Sequence, residues 1–344
     1  MARLARLPRL TRRATLLALV ALLAAAPPLA IPGCAKEQRE VVVYCALDQE
    51  FAATIFEEFE KATGIHVTAQ YDDEIVKTVG LTNRIKLEKE RPRADVFWNN
   101  EVVQTIRLKN AGCLEAYRSP SAADVPDEWK DPDGAWTGFA ARARILAVNT
   151  KRCPPEREPK SYLDLADPAR KGEAAIAKPV AGTTATHLCV LYEVLGPERA
   201  KEWFAALEKN DCGILAGNGP VMREVREGRY EWGFTDTDDF NCARLDEHPV
   251  KAVYPDQADG GLGCLVIPNS IALVKGAPHG DDARRFIDFA LSKDVEKRLA
   301  FGRSAQIPVR AAVEAPPWVK RLADLRLMKV DFAKAALQFE RLPN

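Results

Sequence analysis

VVVYCALDQEFAATIFEEFEKATGIHVTAQY, residues 41–71, decides the fold class. VVVYCAL (41–47) is a short continuous apolar run, the pattern of a strand buried on both faces of a parallel sheet. It passes into DQEFAATIFEEFEKATG (48–64), where Phe51, Ile55, Phe56 and Phe59 recur at helical spacing. Acidic residues occupy the first turn and Gly64 marks the stop. IHVTAQY (65–71) then alternates like a strand. Strand, helix, strand predicts the βαβ unit of a parallel α/β sheet.

The alternation continues outward. A charged helix is expected around 74–90, then the strand ADVFW (94–98) and a helix over about 101–111. A second region repeats the scheme with the strand GEAAIAKP (172–179), the apolar helix AGTTATHLCVLYEVLG (181–196) and GPERAKEWFAALEKN (196–210), which carries Pro197 in its first turn. The short helix GPVMREVREG (219–228) leads into the strand RYEWGFT (229–235). Two long strand-like runs, FAARARILAVNT (139–150) and LGCLVIPNSIALVKG (262–276), flank that region, and two helices follow over 279–291 and 292–302. A chain of 344 residues with 47% hydrophobic content is long for one core and suits two lobes.

Charge narrows the partners. The formal net charge is zero, but residues 1–33 hold five of the 49 basic residues and no acid. The remainder is mildly acidic, with 44 basic against 49 acidic side chains, and has no basic stripe of the kind nucleic acid requires. Residues 1–33 read as a signal peptide: a basic start, an apolar run from Ala14 to Ala26 too short to span a bilayer, and the stop Pro27-Pro28. TRRATLL (11–17) permits twin-arginine as well as general export. IPGC (31–34) resembles a lipobox, so Cys34 is expected to carry lipid, with residues 34–40 as a lipidated tether to the membrane. The eight cysteines and four histidines follow no metal spacing, and outside the cytoplasm some of the cysteines could pair.

The chemistry concentrates in TDTDD (235–239), which ends a strand. Ligands of open α/β sheets bind beyond the carboxyl ends of their strands. Asp236, Asp238 and Asp239 admit two readings: a helix start, with Asp236 or Thr237 as cap, or an oxygen-rich cation site. On the second reading Asp to Asn should hardly harm the fold and should weaken binding. AGTTATH (181–187) sets Gly182, Thr183 and Thr184 at a helix N-terminus, a ready anion site that could equally be a plain cap. DVFWNNE (95–101) ends a strand with Trp98, Asn100 and Glu101, and Asp48 holds the same topological position after the first strand.

Four stretches share an order and spacing with a known family: VVVYCALDQEFAATIFEEFEKATGIHV (41–67), ADVFWNNEVVQTIRLKNAGCLEAYRSP (94–120), DPDGAWTGFAARARILAVNT (131–150) and FIDFALSKDVEKRLAFG (286–302). They resemble the extracellular solute-binding proteins of ABC importers, and among them the periplasmic ferric-iron-binding branch, over about residues 41–310. The resemblance implies a non-enzymatic, type II-like periplasmic-binding-protein fold, monomeric, serving an ABC permease and ATPase. It has two lobes joined by crossover hinge strands and traps ligand between them. Lobe 1 is expected over 41–137 and 265–310, and lobe 2 over 138–264 and 311–344.

In the iron branch the ligands include a His after the first strand, a Glu after the ADVF strand and a consecutive Tyr pair after a second-lobe strand. Here those places read Asp48, Asn100-Glu101 and TDTDD, so the Tyr pair is absent. The anion that accompanies iron in that branch corresponds to Gly182, Thr183 and Thr184. Asp48, Glu101, Asp236 and Asp238 are then the expected metal ligands, in an acidic cleft with no evident cationic partner. A metal cation such as Fe3+ with a synergistic anion is the first expectation, as cargo and not as a cofactor. An organic amine is the alternative, such as an aminoalkylphosphonate, a polyamine or a thiamine-like cation, with Trp98 available for cation–π contact. A lipid-anchored sensor and a carboxylate-dependent hydrolase are further alternatives, though no Ser/His/Asp or Cys/His order stands out for the latter.

Overall fold

A computed structural model describes residues 39–72 and 78–342. The signal segment, Cys34 and residues 73–77 of the helix expected around 74–90 lie outside the described residues. Among the described residues no helix is long and apolar enough to cross a membrane, and no two cysteines are joined.

The strands are β1 (Glu40–Cys45), β2 (His66–Tyr71), β3 (Val96–Asn99), β4 (Leu114–Glu115), β5 (Thr137–Asn149), β6 (Ala174–Ala177), β7 (Gly213–Leu215), β8 (Trp232–Asp236), β9 (Val250–Val253) and β10 (Val266–Val274). They run in the order β2-β1-β3-β10-β5-β8-β6-β7, with β4 added on β10 and β9 on β5. The helices are α1 (Gln49–Thr63), α2 (Val79–Leu87), α3 (Val103–Asn110), α4 (Gly182–Val194), α5 (Pro197–Lys209), α6 (Asn218–Arg226), α7 (Thr237–Leu245), α8 (Gly280–Ala290), α9 (Lys293–Phe301) and α10 (Phe332–Ala336).

The βαβ unit stands where the sequence puts it. β1 pairs parallel with β2 and β3, Val41 opposite Val67 and Cys45 opposite Trp98. Between β1 and β2, α1 turns Ala52, Ile55, Phe56 and Phe59 into the core and ends at Gly64. That glycine takes φ 69° and returns its N–H to Glu60 at 2.8 Å, a left-handed cap that would cost any L-residue about 1–2 kcal/mol. Phe56 and Phe59 meet Phe286 of α8 with ring centroids 5.6 and 5.1 Å apart, each burial contributing about 1.5–3 kcal/mol.

β5 belongs to two half-sheets. Its first part pairs antiparallel with β10, from Thr137 opposite Ile271 to Ala143 opposite Val266. Its second part pairs antiparallel with β8 and β9, beginning with Arg144 opposite Asp236. All its residues are buried, and a separate apolar cluster packs behind each half. Trp98, Phe139 and Phe286 belong to the first cluster, and Leu146, Trp203, Trp232 and Phe234 to the second. The C-terminal residues Ala335 and Ala336 join the second cluster together with Val103 and Ile106 of α3 and Leu188 of α4.

β5 and β10 slip register between Pro268 and Asn269, leaving Ala140 as the extra residue of a bulge at φ 42°. Side chains hold that irregular backbone. Ala140 N–H donates to Glu296 Oε1 at 3.1 Å, and the Asn269 amide donates to the Phe139 and Ala140 carbonyls. Glu296 is itself fully buried and paired with Arg310, Nη1 to Oε2 3.0 Å.

Candidate functional site

β8 runs directly into α7, so Asp236 ends a buried strand and stands at the N-cap of a helix. It makes no side-chain cap bond, so of the two readings the cap is not supplied by its side chain. Its carboxylate turns to Arg144 on β5, Nη1 to Oδ1 2.6 Å. The other oxygen accepts from the Thr183 hydroxyl at 2.6 Å and the Asn218 amide at 2.9 Å. Arg144 completes the network: Nη1 donates to Thr183 Oγ1 and Asn218 Oδ1, both at 3.1 Å, and Nη2 to Thr184 Oγ1 at 3.0 Å. Its guanidinium carbon lies 4.1 Å from the Phe234 ring centroid. Both members of the pair are sealed from solvent, so the network fixes the first turn of α4 against the end of β8.

Asp238 and Asp239 lie in the first turn of α7, where the helix dipole favours negative charge. One oxygen from each of Asp236, Asp238 and Asp239 falls within 4.8 Å of the others, close enough for a shared cation. These residues line a cavity of about 400 Å3 together with Asp48, Asn100, Gly182, Thr183 and Thr184. Gly182 sits at φ 61° where α4 begins, and amides of that first turn have no intrahelical acceptor.

Two expected site residues are elsewhere. Trp98 is fully buried, its ring packed at 5.3 Å from Phe139 and 5.9 Å from Phe56, so it is core and offers no face to a ligand. Glu101 is fully buried as well and does not line the cavity. It caps α3: its carboxylate accepts from Val103 N–H and Gln104 N–H, from the Thr186 hydroxyl of α4 and from the Asn99 amide at 2.7 Å. Burial raises its pKa, and those four donors pull the other way.

The expectation of an acidic cleft without a cationic partner is also overturned. Arg142, Lys178, Arg223 and Arg226 line the cavity, and Arg144 lies beneath it on Asp236. Arg142 Nε is 3.5 Å from Asp238 Oδ2. The two buried arginines, Arg142 lining the cavity and Arg144 beneath it, are absent from the set expected of the sequence. Their signal is the repeat ARAR (141–144) in an apolar strand, which puts both side chains on one face.

This fold and this cavity, bounded by strand ends and a helix N-terminus, define a solute-binding protein. Residues 93–335 match the family of bacterial extracellular solute-binding proteins, and the chain belongs to it. It is 26% identical over 318 residues to an Fe(3+)-binding periplasmic protein of Serratia marcescens, covering 91% of this chain and 92% of that one. Iron-bound HitA from Pseudomonas aeruginosa superposes with a TM-score of 0.80 at 27% identity, over 88% of this chain and 98% of HitA. AfuA from Actinobacillus pleuropneumoniae, with fructose-6-phosphate bound, gives 0.78 at 25% identity, over 88% and 95%.

Proposed function

We propose that this protein captures a metal cation together with an anion for an ABC importer, delivering both to a permease and its ATPase. Ferric iron is the first candidate for the cation. The observation that carries this is the pair of carboxylates of Asp238 and Asp239, with oxygens within 4.8 Å of one another, on a cavity that also takes in Asp48 and the N-terminus of α4. Asp238, Asp239 and Asp48 supply the hard oxygen ligands, and Gly182, Thr183 and Thr184 receive the anion. Asp236 acts by positioning, because both its oxygens are engaged within the protein. The iron carried by the Serratia relative and by HitA supports the same reading. The protein acts as a monomer outside the cytoplasm, tethered in the periplasm by lipid on Cys34. Residues 41–137 with 265–310 form one lobe and 138–264 with 311–344 the other, closing over the ligand without catalysing a reaction.

A second reading has its own observation. A cavity of about 400 Å3, with Arg142 beside Asp238, suits a small organic molecule better than a bare ion. An aminoalkylphosphonate, amine at the aspartates and phosphonate at α4, would fill it, and AfuA holds a sugar phosphate in a related fold. Native mass spectrometry with elemental analysis of protein isolated from its own envelope separates the readings. Stoichiometric metal supports the first, and a metal-free organic adduct overturns it. Melting curves with each ligand class separate them independently, since a ligand at 100 times its dissociation constant adds about 2.7 kcal/mol.

A further inference from the structure

Three of the four cations that line the cavity are not matched among the described residues. Arg223 and Arg226 stand three residues apart on α6 and so share a face, and Lys178 follows β6. Among the described residues none of these three side chains has an ion pair or a hydrogen bond. Nε of Arg226 is buried without an acceptor. Arg142, which lines the cavity, is only 2% exposed; Nη2 donates to Asn269 Oδ1 at 3.2 Å, and Nε has no hydrogen bond, with only Asp238 Oδ2 3.5 Å away. A buried guanidinium with an unsatisfied donor is costly unless a partner arrives. Of the cavity's carboxylates, Asp236 is committed to Arg144, and Asp238 stands 3.5 Å from Arg142 Nε, an ion pair without a hydrogen bond.

We propose that Arg142, Lys178, Arg223 and Arg226 form a second anionic subsite, distinct from the first turn of α4. The ligand then carries two separate anionic groups, one at α4 and one at this basic wall. A polycarboxylate chelating the metal has that chemistry, and so does a phosphate ester bearing a carboxylate. This rests on the reading of the cavity as the ligand site but not on the identity of the cation.

Calorimetric titration of the full chain in detergent tests it with two pairs of probes. Ferric citrate is compared with ferric ion in bicarbonate, and 3-phosphoglycerate with fructose 6-phosphate. In at least one pair the probe with two anionic groups should bind about tenfold more tightly or better. The double variant Arg223→Gln/Arg226→Gln should lose most of that preference. Preference in the ferric pair identifies a metal chelate, and preference in the other pair a free organic acid. Wild-type protein without preference in either pair overturns the proposal, and so does a double variant that retains it. If the double variant does not fold, Lys178→Gln at an exposed position makes the same comparison. Preference for 3-phosphoglycerate with no ferric binding sinks the metal reading and leaves this one standing. Tight ferric bicarbonate binding without preference does the reverse.

Discussion

Arg144 and Asp236 stand directly opposite each other on antiparallel strands, and their ion pair is closed to solvent. Removing the charge of Asp236 therefore does not simply relieve crowding among three aspartates. It strands a buried guanidinium. Asp236→Asn is expected to cost about 3–5 kcal/mol in urea denaturation. Asp239→Asn, at a half-buried position, should change stability by less than about 1 kcal/mol while weakening cation binding. An Asp236→Asn protein as stable as the wild type would show that Arg144 does not depend on its partner.

Glu101 offers the opposite contrast. As the cap of α3 it is expected to matter for folding and not for ligand. Glu101→Ala should destabilise by about 2 kcal/mol, from the lost cap and the stranded Thr186 and Asn99 donors. Ligand affinity should stay within a factor of about two, a change of less than one half kcal/mol. A large loss of affinity in the still-folded variant would return Glu101 to the ligand set.

His187 on α4 is fully buried between Tyr162 and Phe234, with ring centroids 4.4 and 4.7 Å away, and among the described residues neither ring nitrogen has a hydrogen-bond partner. Burial, and after it the charge of Arg144, holds its pKa well below the ordinary value. The unfolded chain protonates this imidazole near pH 6.5 and the folded chain does not. Its contribution is thus full above about pH 6.5 and is lost as pH falls below it, by up to about 1.4 kcal/mol per unit. His187→Phe should gain on the wild type by that slope between about pH 6 and pH 5, because every other titrating group is common to both. Parallel pH profiles for the two proteins would contradict the assignment.

Cys34 is expected to carry lipid. Expression of the full chain with labelled palmitate in a Gram-negative host should label the wild type and leave Cys34→Ala unlabelled. Label retained by the variant would place the attachment elsewhere.

The elements were legible wherever local pattern and tertiary burial agree. α1 and β2 fall within the runs read as helix and strand, β1 and β3 overrun theirs by one residue each, and Gly64 caps as its position predicts. The cavity was legible as a place, because strand ends locate it: Asp48, Asn100, Gly182 and the aspartates of 236–239 all line it. Side-chain direction was not. Trp98 is the last buried ring of an apolar strand and Glu101 the first acceptor for α3, and both are drawn inward by nearby demands that spacing does not register. Arg144 and Asp236 are far apart in sequence, so their partnership depends on the pairing of β5 with β8.

One consequence of the sheet order concerns synthesis. β10 lies between β3 and β5, yet it is made after every strand of the other half-sheet. Until then the edges of β3 and β5 stand unfilled, while β1 to β3 and β5 to β9, the latter contiguous at 137–253, can each pair among themselves. Val266–Val274 is the last of the strands to be made, so the sheet cannot be completed before it arrives. Until then the unfilled edges are surfaces that a holdase, or export ahead of folding, must keep from pairing with other chains.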